Sequence, residues 1–278
     1  MFCSTTLAER IERTEAGLIA AGADAARRRG GEGFEIAVAG GVACFAGANS
    51  PFNKVVGLGF GGAPSDAELD KIEAAFGSRG CPTQVELAHL ADPEVAAALT
   101  ARGYQLVSFE NVLGRQLADR LERVTPPGVD VRPGADEDFE TWLDTVVEGF
   151  ANPDTQGVAS HEEFPRDVVA VATRDMVAAG ATRYVATADG AVAGGASVRF
   201  AHGIAQLTGA ATAPAHRRRG VQTALLAARL VDAAAAGCDI AVVTTAPGSK
   251  SQENVQRRGF DLLYTRAILV KPAAVPAV

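Results

Sequence analysis

Apolar positions recur at helical spacing from Thr5 to Arg28, where Leu7, Ile11, Leu18 and Ile19 mark one face. The run ends in Arg27-Arg28-Arg29-Gly30-Gly31. Cations over the negative end of a helix dipole, then glycine for a left-handed turn, predict a helix stop and not an anion site. Alternation then replaces the helical period. Residues 34–48 predict a hairpin turning at Gly40-Gly41, and residues 54–60 a further strand. Beyond Pro64, Ser65 or Asp66 caps a helix, with Glu68 at the capping-box spacing from Ser65. Residues 84–90 predict a strand, Asp92 caps a helix to Ala101, and residues 104–117 give two strands or one long bent one.

Thr125-Pro126-Pro127-Gly128 breaks the pattern and predicts a linker. A short strand follows at residues 130–132. Asp136 caps a helix to about Gly149, with Phe139, Leu143, Val146, Val147 and Phe150 on its apolar side. A polar loop at residues 151–163 precedes a helix from Pro165 to about Ala179. Residues 183–188 and 191–200 predict a hairpin about Asp189-Gly190, and His202-Gly203 turns into a third strand ending at Thr212. Next come a proline, the basic loop Arg217-Arg218-Arg219-Gly220, and an alanine-rich helix to Gly237. Residues 239–245 are nearly continuously apolar, as a strand inside a sheet would be; 249–258 read as helix and 260–270 as strand.

The halves repeat. Gly40, Val42, Gly59 and Ala63-Pro64 find Gly190, Val192, Gly209 and Ala213-Pro214 at a constant offset of 150, and Arg102-Gly103-Tyr104 matches Arg258-Gly259-Phe260 at 156. Gly80-Cys81 matches Gly237-Cys238 at 157, so between the matched prolines and these glycines the second half holds seven extra residues, and they fall in the basic loop. The first copy therefore has the scaffold without that loop. A loop opening a helix leaves backbone N–H groups unpaired at the positive end of the helix dipole, which favours anions. Three arginines stand beside it, and Gly220 admits close approach of a ligand. The alternative from the residues alone is a surface loop with solvated arginines.

A net charge of −7 argues against nucleic acid or an anionic membrane as partner, and 47% hydrophobic residues suffice for a sizeable core. No apolar run approaches a membrane span, and the charged N-terminus lacks a signal-peptide core, so a cytoplasmic protein is expected. Cys3, Cys44, Cys81 and Cys238 are scattered, as are His89, His161, His202 and His216. Neither a disulfide framework nor a metal site is expected, and the cysteines default to buried free thiols.

From residue 131 to 270 the chain resembles the GNAT superfamily of acyl-CoA-dependent N-acetyltransferases. The family motif is Gln or Arg, two residues, Gly, one residue, then Gly or Ala; here it reads Arg217-Arg218-Arg219-Gly220-Val221-Gln222. The element order and the Arg258-Gly259-Phe260 ending agree with the family. The resemblance implies an α/β (α+β) fold of two GNAT-like domains, each a mixed, mostly antiparallel sheet flanked by helices. Residues 1–124 would be a degenerate copy without the pyrophosphate loop, 125–129 a linker, and 130–278 the domain with the acetyl-CoA site.

By the same resemblance, Arg217, Arg218, Arg219, Gly220, Val221, Gln222 and Thr223 hold the coenzyme A pyrophosphate. Ala210, Ala211 and Thr212 pair with the pantetheine arm, and Asn254 contacts the inner part of the cosubstrate. Two positions depart from the family: Gln222 replaces a small residue, and Val255 stands where a tyrosine usually protonates the departing thiolate. Ser251, Asn254 and Tyr264 are the substitute donors. The implied chemistry is attack of an amine of a small molecule or peptide on acetyl-CoA, with Glu148, Glu162 and Glu163 as candidate holders of a cationic acceptor. A non-catalytic acyl-CoA-binding module, or use of another acyl-CoA, remains an alternative; monomer and homodimer are both open.

Overall fold

The computed structural model describes residues 1–117, 121–153, 156–158 and 161–273. It falls into two compact units whose division does not follow the proline linker: residues 2–112, 159–164 and 262–278 form the first, and residues 1, 113–158 and 165–261 the second. The last strand of the chain thus belongs to the unit built mostly from the N-terminal half. Among the described residues, no helix is long and apolar enough to cross a membrane.

The first unit begins with α1 (Thr5–Arg28), capped by Ser4 and ending over Arg27 and Arg28 as the sequence predicts. Strands β1 (Phe34–Val38) and β2 (Gly41–Phe45) form the hairpin. Its turn is Ala39-Gly40, both left-handed at φ 42° and 81°, one residue earlier than expected, because the paired register closes at Val38 and Gly41. β3 is only Lys54–Val56, since left-handed Gly57 and Gly59 end the expected longer strand. Next come α2 (Asp66–Gly77), β4 (Thr83–Ala88), α3 (Pro93–Ala101) and the single long β5 (Gln105–Gln116), of which residues 105–112 lie in this unit. β11 (Asp261–Lys271) pairs antiparallel with β4, Arg266 opposite Ala88 and Lys271 opposite Thr83.

One side of this sheet is apolar: Val85, Leu87 and Leu269 pack with Leu69, Ile72, Phe76, Val95 and Leu99 of α2 and α3. The other carries buried charge. Glu110, about a third exposed, lies 3.8 Å from Arg266. Burial and the neighbouring Glu86 charge raise its carboxyl to about 7 against the pull of Lys54 and Arg266. The folded chain then holds this proton more tightly than the unfolded chain across the window from 4.5 to about 7, so stability falls as pH rises through it. Glu110→Gln should therefore raise the thermal unfolding midpoint more at about pH 8 than at about pH 5. Equal shifts at both would show that Glu110 ionisation costs the fold nothing.

In sheet order the strands of the second unit are β10 (Ile240–Thr245), β9 (Ile204–Thr212), β8 (Ala191–Ala201), β7 (Thr182–Ala188) and β6 (Val129–Pro133). β6 (Val129–Pro133) is followed by a short 3-10 turn and α4 (Phe139–Ala151). Asp136 does not cap α4: its carboxylate pairs with Arg183, while Asp138 accepts from Ala135 N at 2.9 Å and pairs with Arg132, which holds its carboxyl down at about 2. Phe150 is 46% exposed, not packed with Leu143, Val146 and Val147; the buried aromatic is Trp142, whose indole donates to Tyr184 O at 3.1 Å. α5 (Arg166–Ala178), β7 (Thr182–Ala188), β8 (Ala191–Ala201), β9 (Ile204–Thr212), α6 (Val221–Ala235), β10 (Ile240–Thr245) and α7 (Lys250–Gln256) complete it. Of the four cysteines, Cys44 and Cys238 are buried free thiols as expected, the former raised to about 12 by burial; Cys3 and Cys81 are only half-buried.

Candidate functional site

β8 and β9 lose register between Gly195, opposite Ala211, and Ser197, opposite Thr208, so β9 carries one extra residue as a bulge. Glycines permit the close packing here. A Cβ at Gly195 would lie 2.6 Å from the Trp142 indole nitrogen, and one at Gly149 of α4 2.4 Å from Ala211 Cβ. β9 pairs in parallel with β10 over only three residues, Ile204–Gln206 against Ile240–Val242, although β9 continues to Thr212 and β10 to Thr245. Past Gln206 the two strands part. Their facing edges offer backbone groups that do not pair with each other, which is what an extended ligand needs. Ala210, Ala211 and Thr212 lie on that edge of β9; Ala211 is buried and its neighbours half-buried.

Beyond β9 the chain makes a 3-10 turn at Pro214–His216 and enters the basic loop. Arg218 (φ 62°) and Gly220 (φ 83°) are both left-handed, an uncommon state for arginine that folds the loop tightly onto the start of α6. A Cβ at Gly220 would lie 2.6 Å from the ring of Pro126, so the predicted linker packs against the loop. Among the described residues no side chain caps α6, and its first turn holds no acid. Ala224 N bonds back to Gly220 O, leaving the amides of Val221, Gln222 and Thr223 free of helical partners.

The matching helix of the first half is built the opposite way. Ser65 caps α2 by accepting from Glu68 N at 3.3 Å, and the Glu68 carboxylate takes Ser65 N at 2.9 Å. These bonds to the Ser65 backbone and hydroxyl hold the Glu68 carboxyl below the usual range. Asp66 adds a second acid to that first turn. One helix closes its N-terminus with its own carboxylates; the other leaves it open.

The three arginines have different surroundings. Arg217 bonds the carbonyl of Asn152 and Arg219 pairs with Asp189 of the β7–β8 turn. Arg218 is exposed, with no partner among the described residues. Gln222 and Thr223 are half-buried on the first turn, so Gln222 does not fill the space beneath the loop that buried Val221 occupies.

Of the proposed proton donors, Ser251 is exposed and Asn254 half-buried on α7. Tyr264 belongs to the first unit, where its hydroxyl donates to Glu12 Oε1 at 2.6 Å; burial and that carboxylate push its pKa well above the usual value. Val255 is buried in the core with Phe260 and α6. The acidic candidates also separate. Glu148 pairs with Arg166 at 2.7 Å in the second unit, whereas Glu162, 3.7 Å from His161, and Glu163 lie in the segment grouped with the first.

Two residues escaped the sequence reading. Thr245, at the end of β10, is 5% exposed, and its hydroxyl has no hydrogen-bond partner among the described residues. It ends the strand edge that diverges from β9, where an extended ligand would supply the missing partner. Arg229 is the other: it interrupts the apolar face of α6, a signal visible in Leu-Leu-Ala-Ala-Arg-Leu. Fully buried and without a carboxylate partner among the described residues, it donates to Ser197 O at 3.0 Å, Thr208 O at 3.4 Å and Leu225 O at 3.2 Å. Burial lowers its pKa to about 10. It ties α6 to the two strands at the bulge, so Arg229→Met should cost about 1–3 kcal/mol by stranding these carbonyls. Chemical denaturation checks this; an unchanged midpoint would mean that the bulge holds itself.

Residues 130–261 match the family model described as an acetyltransferase (GNAT) domain. No curated protein sequence matches the chain. The fold is similar to solved structures. A GCN5-related N-acetyltransferase from Kribbella flavida is 20% identical with a TM-score of 0.65, and the match covers 93% of this chain and 96% of that one. One from Sphaerobacter thermophilus is 15% identical with a TM-score of 0.57, covering 76% and 68%. A tandem GNAT protein from the clavulanic acid biosynthesis pathway is 16% identical with a TM-score of 0.60, covering 85% and 79%.

Proposed function

Residues 130–261 form a domain that matches the acetyltransferase (GNAT) model, and from that match we propose that the chain transfers an acetyl group from acetyl-CoA to an amine of a small molecule or peptide. The transfer uses one site, in the second unit. The observation that carries the reading is the pair of unlike helix ends: α6 opens uncapped amides below two left-handed residues, while α2 fills its own with Glu68.

In this reading the amides of Val221, Gln222 and Thr223, with Arg218, hold the pyrophosphate. The edge of β9 from Ala210 to Thr212 binds the pantetheine arm. A backbone N–H near the bulge polarises the thioester carbonyl. The neutral amine attacks the carbonyl carbon, the new C–N bond forms, the C–S bond breaks, and the amine proton passes to water or a carboxylate. A thiolate is a good leaving group, so the chemistry rests mainly on positioning, with the Thr245 hydroxyl as an added donor. No charged nucleic acid or membrane surface takes part, and the enzyme acts in the cytoplasm.

The second reading, a non-catalytic acyl-CoA-binding module, is favoured by one observation, buried Val255 at the family's tyrosine position. Thiol release from acetyl-CoA across a panel of amines separates the two. Amine-dependent release supports transfer; tight binding without release on any amine supports the module.

A further inference from the structure

The side of the first unit's sheet that faces away from α2 and α3 is built from charge. From α1 comes Glu12, from β3 Lys54, from β4 Gln84 and Glu86, from β11 Tyr264 and Arg266. Lys54 bonds Glu86 Oε1. Arg266 Nε donates to Glu12 Oε1 at 2.8 Å, and Arg266 Nη1 lies 3.5 Å from Glu86 Oε2. Glu12, Glu86 and Glu110, with Glu15 and Glu162 also acting on the cluster, face the cations Lys54 and Arg266, and His161 acts on Glu86. Burial raises the Glu12 carboxyl against the pull of Arg266. Glu86, also buried, is held below the usual range by Lys54 and Arg266.

Three buried polar atoms on this side have no hydrogen-bond partner among the described residues: Glu12 Oε2, Glu86 Oε2 and Gln84 Nε2. Glu12 is 1%, Glu86 2% and Gln84 7% exposed. Gln84 and Glu86 are two apart on β4 and so project from the same side. Two unmatched acceptors and one unmatched donor are costly to bury, and apolar side chains would pack there at no such cost. The unmatched set also has a definite complement. Two carboxylate oxygens call for N–H donors with positive charge, and the Gln84 amide calls for an acceptor oxygen. Of the charged groups on this side, Lys54 and Glu110 are the ones partly exposed to solvent.

We propose that the first unit binds a small polar amine, its ammonium held by Glu12 and Glu86 and an oxygen of the same molecule held by Gln84. The site stands on this unit's own residues and does not depend on the acyl-transfer reading, so it survives if that reading fails.

Ethanolamine carries only the two groups the site requires; ethylene glycol, with hydroxyl in place of ammonium, is its neutral control. In the full chain, the Gln84 side-chain amide resonances should shift saturably with ethanolamine and not with ethylene glycol. Gln84→Met removes the unmatched donor, so it should raise the thermal midpoint of the ligand-free chain while weakening ethanolamine at least about fivefold. Glu12→Gln should weaken it further, and if that variant does not fold, Gln84→Met alone decides. No saturable shift, equal shifts with both compounds, or unweakened binding by Gln84→Met would assign the three atoms to bound water and overturn the proposal.

Discussion

Gln222→Glu is expected to weaken acetyl-CoA binding at least about 100-fold, near 2.7 kcal/mol, while leaving the fold intact. The substitution puts an anion on the first turn of α6, where the pyrophosphate is proposed to sit. Gln222 is half-buried, so the added charge meets the ligand without filling the core. An acid in a first helical turn suits the helix dipole, so the free chain should be as stable as before or slightly more so. This pairing of lost affinity with kept stability separates an anion site from a merely structural loop. Gly220→Asp would not separate them: at φ 83° and 2.6 Å from Pro126, any side chain there strains the backbone and displaces the linker. Calorimetry with acetyl-CoA and thermal unfolding of the same preparation check both halves of the prediction. Unchanged affinity in Gln222→Glu would remove the pyrophosphate from this loop.

The largest stability effect is expected at Arg266. Its side chain is 1% exposed and is the counter-charge to Glu12 and, with Lys54, to Glu86. Arg266→Leu leaves Glu12 buried without a cation, and should cost about 3–5 kcal/mol. The double variant Glu12→Gln/Arg266→Leu removes the pair together and should recover a large part of that loss, because the expense lies in the stranded charge. A double variant no more stable than Arg266→Leu would show that the arginine acts by filling space.

The two units differ in how far they could be read from the sequence. The basic loop, the helix after it and the strand before it follow from local signals: three arginines, Gly220, and a run of alanine and leucine with helical period. The capping box at Ser65 and Glu68 was equally legible, and its consequence for the first half appears once α2 and α6 are set side by side. The turn at Ala39-Gly40 was misplaced by one residue because two adjacent glycines offer no sequence reason to choose between registers. Phe150 looked like a core residue from its spacing, but Trp142 fills that role, as the close approach allowed by Gly195 belongs to tertiary packing.

The least legible feature is the assignment of β11. Residues 260–270 read as the closing strand of the second repeat, yet residues 262–271 lie in the first unit, where 266–271 pair with β4. Periodicity identifies a strand and its faces but not its partner, which the long-range register decides. This is why Tyr264 looked like a candidate proton donor for the loop and is found instead bonded to Glu12. The charged interior around Glu12 was hidden for a related reason. On α1 a glutamate among apolar residues reads as a solvated position until the sheet beneath it is known to carry Arg266.

The central claim is a single acyl-CoA site, open at α6 and closed at α2. Titration of the full chain with acetyl-CoA by calorimetry tests it most directly. One equivalent bound per chain, lost in Gln222→Glu and unaffected by substitution of Glu68, is the predicted result; no binding, two equivalents, or one equivalent that survives Gln222→Glu would contradict it.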